Sequence, residues 1–136
     1  IEWGKNYPRI YIYDSNQCEY EVFEYNGVGY DRTMHFGEWR VAFLNYAERF
    51  DKIDKLERHM LTDEVFVLLE GRAVLIIGED QKIVELEKNK IYNVKQAIYH
   101  AIKVTEDAKV IIVENHNTSL DNTEYLMLDK NVEFEF

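Results

Sequence analysis

Short apolar runs rich in Tyr, Val, Ile and Phe alternate with polar breaks along the chain, and no window keeps helical spacing for long. Gly, Asn or Asp stands in the breaks EGR, GEDQ, EKNK and TEDA, where tight reversals need such residues. The pattern predicts an all-β protein, and many short strands joined by tight turns favour a jelly-roll barrel over a βαβ fold. The candidate strands are residues 9–14, 20–25, 39–46, 55–59, 64–70, 73–78, 82–87, 91–94, 99–104 and 109–115.

Two of these strands are apolar at consecutive positions, in VFVLL and AVLIIG. We expect residues 64–78 to form a hairpin in one barrel wall. Consecutive apolar positions indicate that both faces of a strand are covered, and a small barrel covers only its inner face. The sequence therefore predicts a homodimer that buries an outer face. Residues 45–57 contain at most a helical turn and are expected to form mostly a connection.

Composition limits the function classes. A chain of 136 residues with 46% hydrophobic content predicts one globular domain. The formal charge of −10 argues against nucleic-acid binding, which needs a basic face. No apolar run approaches the roughly 20 residues of a membrane span, and no signal-peptide pattern is present, so a cytoplasmic protein that binds no membrane is expected. Cys18 is the single cysteine, which excludes an internal disulfide; we interpret it as an isolated thiol.

The segment LERHMLTDE carries the candidate chemistry. Glu57 and His59 lie two residues apart in a predicted strand and therefore share a face. Glu64 opens the next strand, and His100 is in phase with Ile98 and Ile102. Two imidazoles and two carboxylates around one cavity would suit Fe, Mn, Ni or Zn.

This spacing resembles the two motifs of the cupin superfamily. The first motif, His, one residue, His, three or four residues, Glu, six residues, Gly, corresponds to Glu57, His59, Glu64 and Gly71, with Glu57 in place of the first His. Of the second motif His100 is in place, whereas Lys95, Ala97 and Val104 stand at its Pro, Gly and Asn positions. The phrases TDEVFVLLEG and VIIVENHNTSLDNTEY are similar to those of small bacterial single-domain cupins whose function is mostly unassigned.

The resemblance covers about residues 36–125 and implies a double-stranded β-helix with a divalent metal held by Glu57, His59, Glu64 and His100. It divides the single domain into N-terminal strands (1–35), a cupin core (36–125) and a C-terminal tail (126–136). It does not imply one activity, because cupins include enzymes, sugar-binding regulators and storage proteins. Whether this chain is an enzyme is left open.

The candidate site residues also have alternative interpretations. His59 and His100 can be hydrogen-bonded barrel residues without a metal, and Glu57 can be a solvent-facing carboxylate. His35 and His116 fit no motif position. We expect Arg40, Tyr92 and Tyr99 to contact substrate.

The leading function is a metal-binding cupin for a small polar metabolite, such as a sugar derivative or an organic acid. The alternatives are a metal-free ligand-binding cupin and a dimeric structural module with a filled barrel.

Overall fold

A computed structural model describes residues 9–12 and 19–136. Within these residues the chain forms twelve strands and two short 3-10 turns, Glu48–Phe50 and Leu120–Asn122. The strands are β1 (Arg9–Ile12), β2 (Glu21–Glu24), β3 (Tyr30–Phe36), β4 (Trp39–Asn45), β5 (Lys55–His59), β6 (Glu64–Glu70), β7 (Ala73–Ile77), β8 (Lys82–Glu85), β9 (Tyr92–Val94), β10 (His100–Val104), β11 (Lys109–Asn115) and β12 (Thr123–Met127). The 3-10 turn at Glu48–Phe50 lies in the segment predicted as a connection.

Two five-stranded antiparallel sheets make up the barrel. The first sheet has the order β12-β5-β10-β7-β8, and the second has the order β3-β4-β11-β6-β9. Strands β1 and β2 form a separate two-stranded sheet. Strands that follow one another in sequence often lie in different sheets, as a jelly roll requires. The predicted all-β jelly-roll fold is confirmed.

The predicted hairpin at residues 64–78 is wrong. Strand β6 pairs with β11 and β9, whereas β7 pairs with β10 and β8, so the two strands belong to different sheets. The chain passes between the sheets at Gly71, which has a φ of +72°. A Cβ atom at this position would lie 2.6 Å from the Cα of Ala108. Periodicity gives each strand's faces but not its partner, which is why the sequence suggested a hairpin here.

Two strands of the barrel were not predicted, β3 and β12. The sequence of β3, YDRTMHF, mixes polar and apolar positions, and a register shift between Asp31 and Met34 breaks its alternation. Strand β12 is at a sheet edge, where its residues are exposed or half-buried. Three other strands have the predicted bounds: Lys55–His59, Glu64–Glu70 and Lys109–Asn115.

The inward side chains divide the barrel into an apolar end and a polar end. At one end Leu44, Leu68, Val104 and Val110 are buried in a common hydrophobic cluster. Towards the other end of the same four strands, the inward positions carry Arg40, Glu64, His100 and Glu114. The cross-strand pairs Leu44–Val110 and Arg40–Glu114 fix this order along β4 and β11. The packed core therefore closes one end, and the polar residues gather at the other.

The C-terminal segment covers the outer face of the first sheet. Leu56, Val74 and Ile76 are fully buried on this face, against Val132 and Phe134. A backbone hydrogen bond from Val132 N to Ile53 O holds the segment in place. The consecutive apolar residues of β7 are thus buried within one chain, so they do not by themselves require a second copy.

Some expectations concern features that the described residues do not test. Cys18 lies outside the described residues, as do the last two positions of the strand predicted at 9–14. In the part of the chain that the structure covers, no helix is long and apolar enough to cross a bilayer. The cytoplasmic location and the division at residues 35 and 125 stay predictions.

Candidate metal centre

Five polar residues from four strands meet at one end of the barrel. Glu57 and His59 come from β5 and His100 from β10, in the first sheet; Glu64 from β6 and Glu114 from β11 face them from the second. His100 and Glu57 are direct cross-strand partners. The structure therefore brings together the four residues that the sequence singled out, from both sheets.

One carboxylate oxygen of Glu64 is the centre of the cluster. Its Oε1 lies 2.7 Å from Nε2 of His100 and 3.1 Å from Nε2 of His59. All three residues are buried. Burial alone raises the pKa of Glu64, but the hydrogen bonds from His100 and His59 and the interaction with Glu114 outweigh it, so the pKa of Glu64 is lowered. Glu64 is therefore a carboxylate facing two imidazoles.

The other nitrogen of each imidazole is engaged elsewhere. His100 Nδ1 lies 3.0 Å from the carbonyl oxygen of Ile98, and His59 Nδ1 lies 2.9 Å from Oγ1 of Thr123. These contacts fix the ring orientations and direct both Nε2 atoms towards Glu64. Burial lowers the pKa of both histidines, but the Glu64 hydrogen bond and charge outweigh it and raise their pKa values. Both ring nitrogens of His100 thus face oxygen atoms, of the Ile98 carbonyl and the Glu64 carboxylate, which favours the protonated form of this ring.

Glu57 stands at the edge of the cluster. Its Oε1 lies 3.7 Å from His59 Nε2, and 42% of its side chain is exposed. Ligand atoms of Glu57, His59 and His100 lie within 4.8 Å of one another. Glu57 is thus close enough to bind the same metal ion as the two histidines, but it is far less buried than Glu64.

Glu114 is a site residue that the sequence analysis missed. Ligand atoms of His59, Glu64 and Glu114 lie within 4.8 Å of one another. Burial, then the neighbouring Glu64 carboxylate, raises the pKa of Glu114 to about 8, against the opposing charge of Arg40. Its Oε2 is buried without a hydrogen-bond partner among the described residues. The alternation of KVIIVEN contained a signal, because Glu114 is in phase with the core residues Val110 and Ile112.

Arg40 lines the cavity, and the protein engages its two terminal nitrogens, whereas its Nε is buried without a hydrogen-bond partner among the described residues. Its Nη2 lies 2.6 Å from Glu114 Oε1, and only 3% of each side chain is exposed. Its Nη1 donates to the carbonyl oxygens of His116 at 3.1 Å and Thr118 at 3.4 Å. Arg40 therefore positions Glu114 and the loop after β11 in this arrangement, and has little capacity left for a substrate.

The other two expected substrate contacts lie away from the cavity. Tyr92 packs against the apolar core cluster, and its hydroxyl accepts a hydrogen bond from Glu87 N at 2.9 Å. Tyr99 packs on the outer face of the first sheet, 4.6 Å below the Arg58 guanidinium. Neither tyrosine is among the described residues that line the cavity. Tyr30, from the unpredicted strand β3, lines it instead.

An open cavity of about 760 Å³ leads to the cluster. This volume lies within the usual range for small-molecule sites. Its walls combine the site residues with apolar side chains from both sheets, including Leu44, Phe66, Ile102 and Ile112. The cavity argues against the structural alternative in which side chains fill the barrel.

His35 and His116 form a separate pair. Their rings stack 3.7 Å apart with an interplanar angle of 3°. Neither residue lines the cavity, in agreement with the absence of a motif position for them.

The donor set fits a divalent transition metal. Two imidazole nitrogens and carboxylate oxygens converge, the anchored Nδ1 atoms follow the usual support of metal-binding histidines, and Glu114 Oε2 is a buried acceptor without a partner among the described residues. Metal binding would require both Nε2 atoms to be unprotonated and Glu64 to be ionised.

No protein-family model matches the chain, and no curated protein is similar to it in sequence. Solved structures are similar in fold. A cupin-2 domain protein from Shewanella frigidimarina matches with a TM-score of 0.52 and 18% identity, over 68% of this chain and 85% of that protein. Streptomyces Pac13, a nucleoside dehydratase, matches with a TM-score of 0.55 and 7% identity, over 94% of this chain and 92% of Pac13. At such identities the likeness shows the fold: the chain has the cupin fold.

Proposed function

We propose that this cupin-fold protein holds a divalent metal ion, Fe, Mn, Ni or Zn, in its barrel cavity and there binds or transforms a small polar metabolite, such as a sugar derivative or an organic acid. His59, Glu64 and His100 are the proposed ligands, with Glu57 as the fourth. One observation carries the proposal: the Nε2 atoms of both histidines converge on a single Glu64 oxygen, at 3.1 and 2.7 Å.

The surrounding residues suit a reactive site. A divalent metal supplies Lewis acidity and binds oxygen ligands of a substrate. Glu114 lies beside the cluster, where burial and the neighbouring Glu64 carboxylate raise its pKa, and its carboxyl group is placed to exchange a proton with a bound molecule. Arg40 keeps the Glu114 carboxyl in place through the 2.6 Å contact. Apolar side chains, including Phe66 and Ile112, line the cavity beside these residues.

A second candidate is a cupin that binds a small molecule without a metal. It is favoured by the hydrogen bonds between Glu64 and the two histidines, which already compensate the buried carboxylate. In this case the same residues would hydrogen-bond the ligand. Glu57, which stands where the cupin motif has its first His, would then not be needed as a metal ligand.

Metal analysis separates the two candidates. Protein purified without a histidine tag is reconstituted with Fe, Mn, Ni or Zn, desalted and analysed by inductively coupled plasma mass spectrometry. The proposal expects one bound metal, lost in His59→Ala and in His100→Ala but kept in His35→Ala, which removes a histidine outside the cavity. Absence of metal after all four reconstitutions would contradict the metal-binding proposal and favour the metal-free candidate.

The homodimer predicted from the sequence is part of the proposal, with the interface on the second sheet. Its outer face carries a half-buried apolar patch in which strands β4, β11 and β6 align; its residues are Val41, Phe43, Val65, Val67, Ile111 and Val113. A patch of this kind favours self-association. Light scattering after gel filtration is expected to give twice the chain mass for the protein and the single mass for Ile111→Lys.

A further inference from the structure

Basic residues are concentrated around the cavity. Among the described residues, five Lys and Arg residues and four Asp and Glu residues line the cavity, whereas the whole sequence contains sixteen basic and twenty-six acidic residues. A local excess of basic residues in a chain with a net charge of −10 is opposite to the overall trend.

Four of these five residues are free to bind a ligand. Arg40 is buried and paired with Glu114, whereas the other four are exposed. Within residues 19–136 none of the four has a carboxylate within 4.0 Å. We call these four residues the cationic mouth: Arg32, Arg49, Lys52 and Lys55.

Aromatic rings that also line the cavity position two of these cations. The Arg49 guanidinium lies 4.7 Å from the centre of the Phe50 ring, and Lys55 Nζ lies 4.6 Å from the centre of the Tyr125 ring. Such contacts restrict the side chains but leave their hydrogen-bond donors available. Arg49 is further confined by Gly29, where a Cβ atom would lie 3.3 Å from Nη2. The cations are thus placed at the cavity, not distributed over open surface.

The field of these cations is only partly cancelled. Among the described residues, Asp54 and Glu57 are the acidic residues of the cavity wall outside the buried Glu64 and Glu114, so the four exposed cations outnumber these anions by two. A cleft with an excess of one charge concentrates small ligands of the opposite charge. A nucleic acid does not fit, because a long polyanion would also face the acidic remainder of the chain.

We propose that the cavity takes a small anionic molecule, whose carboxylate or phosphate group binds the cationic mouth while its neutral polar part reaches Glu64 and the two histidines. This inference rests on the proposed role of the cavity as a small-molecule site, but not on the metal. It names the substrate class: a carboxylate- or phosphate-bearing metabolite in preference to a neutral sugar.

The test uses chelator-treated protein, so that its result is independent of metal binding. Inorganic phosphate and malonate are the two anionic probes, and ribose is the neutral probe; binding is followed by amide chemical shifts in two-dimensional NMR. The variants are Arg49→Gln/Lys52→Gln, Lys55→Gln alone, and the control Lys82→Gln/Lys88→Gln, which removes two charges from exposed residues outside the cavity lining. Folding is checked by the dispersion of the same spectra.

The expected result is that phosphate, malonate or both shift amides of the cavity wall and bind at least about five-fold more weakly to the Arg49/Lys52 double variant, equivalent to about 1 kcal/mol. Lys55→Gln is expected to weaken binding to a smaller degree, and the control variant is expected to bind as the parent does. The anion that binds more strongly identifies the ligand group, and ribose is expected to bind more weakly than that anion. Equal weakening in the control, shifts away from the cavity, or no binding of either anion would each overturn the inference, whatever the metal analysis finds.

Discussion

Arg40 and Glu114 face each other across β4 and β11 and form a salt bridge of 2.6 Å with both side chains almost fully buried. Such a pair stabilises only as long as both partners are present, because removal of either one leaves the other buried without its hydrogen-bond partner. Glu114 also lies beside the metal-ligand candidates His59 and Glu64. The carboxyl group of Glu114 thus contributes both to the stability of the fold and to the chemistry of the cavity.

Replacement of Arg40 is expected to destabilise the fold. Arg40→Met should lower the free energy of unfolding by about 3 kcal/mol, because Glu114 loses its partner. In the double variant Arg40→Met/Glu114→Leu the Glu114 carboxyl is removed as well, and about half of the loss should be recovered. Urea denaturation of the chelator-treated proteins measures both. The single variant Glu114→Leu completes the comparison, and a double variant as unstable as the sum of Arg40→Met and Glu114→Leu would contradict the coupling.

The stability of the protein should depend on pH through Glu114. Its folded pKa of about 8 lies above the ordinary value of 4.5, so the folded state binds the extra proton between these two pH values. The stabilisation that Glu114 contributes is complete below its ordinary pKa of 4.5 and is lost as pH rises through its folded pKa of about 8. The loss is at most about 1.4 kcal/mol per pH unit. Glu114→Gln removes this contribution. Thermal and urea unfolding from pH 5 to 9 should therefore show that the free energy of unfolding falls less steeply with pH in the variant than in the parent protein. Identical slopes in the two proteins would exclude the raised pKa of Glu114.

Thr123 is expected to support metal binding without touching the metal. Its hydroxyl contacts His59 Nδ1 at 2.9 Å, and Thr123→Val removes this anchor with little change in volume. Loss of such a partner typically weakens metal affinity about 10- to 100-fold. Competition with a fluorescent chelator measures the change. Thr105→Val, which also loses side-chain hydrogen bonds but contacts Arg72 and Asp107 instead, is the matched control and should keep the parent affinity.

Gly71 should tolerate no side chain. Gly71→Ala forces a Cβ atom to within 2.6 Å of the Ala108 backbone at a φ of +72°, and we expect a loss of about 3 kcal/mol. Gly37 offers a control, since its φ is +57° but a Cβ atom added there would meet no other atom within 4 Å. Gly37→Ala should cost only about 1 kcal/mol. Similar losses in the two variants, measured by chemical denaturation, would show that backbone strain and not the close approach makes Gly71 necessary.

Much of the candidate site was readable from local pattern. His59 and Glu57 share a face because they are two residues apart in a strand, and the motif spacing added Glu64 and His100. Tyr92 and Tyr99 were expected to contact substrate without such support from alternation or motif spacing, and one packs against the core cluster and the other on the outer face. Alternation gives two faces, but which face is inward depends on the sheet that the strand joins.

Local sequence was sufficient for the all-β class, for three strand bounds and for the histidines and carboxylates at the motif positions, because strand period and residue chemistry are local properties. Three relationships required the folded chain: β6 and β7 lie in different sheets, the C-terminal segment buries Val74 and Ile76, and Glu114 and Arg40 join the cluster. The last of these joins residues 74 positions apart. Such pairing is set by how the whole chain buries its apolar faces, which no single window of sequence contains.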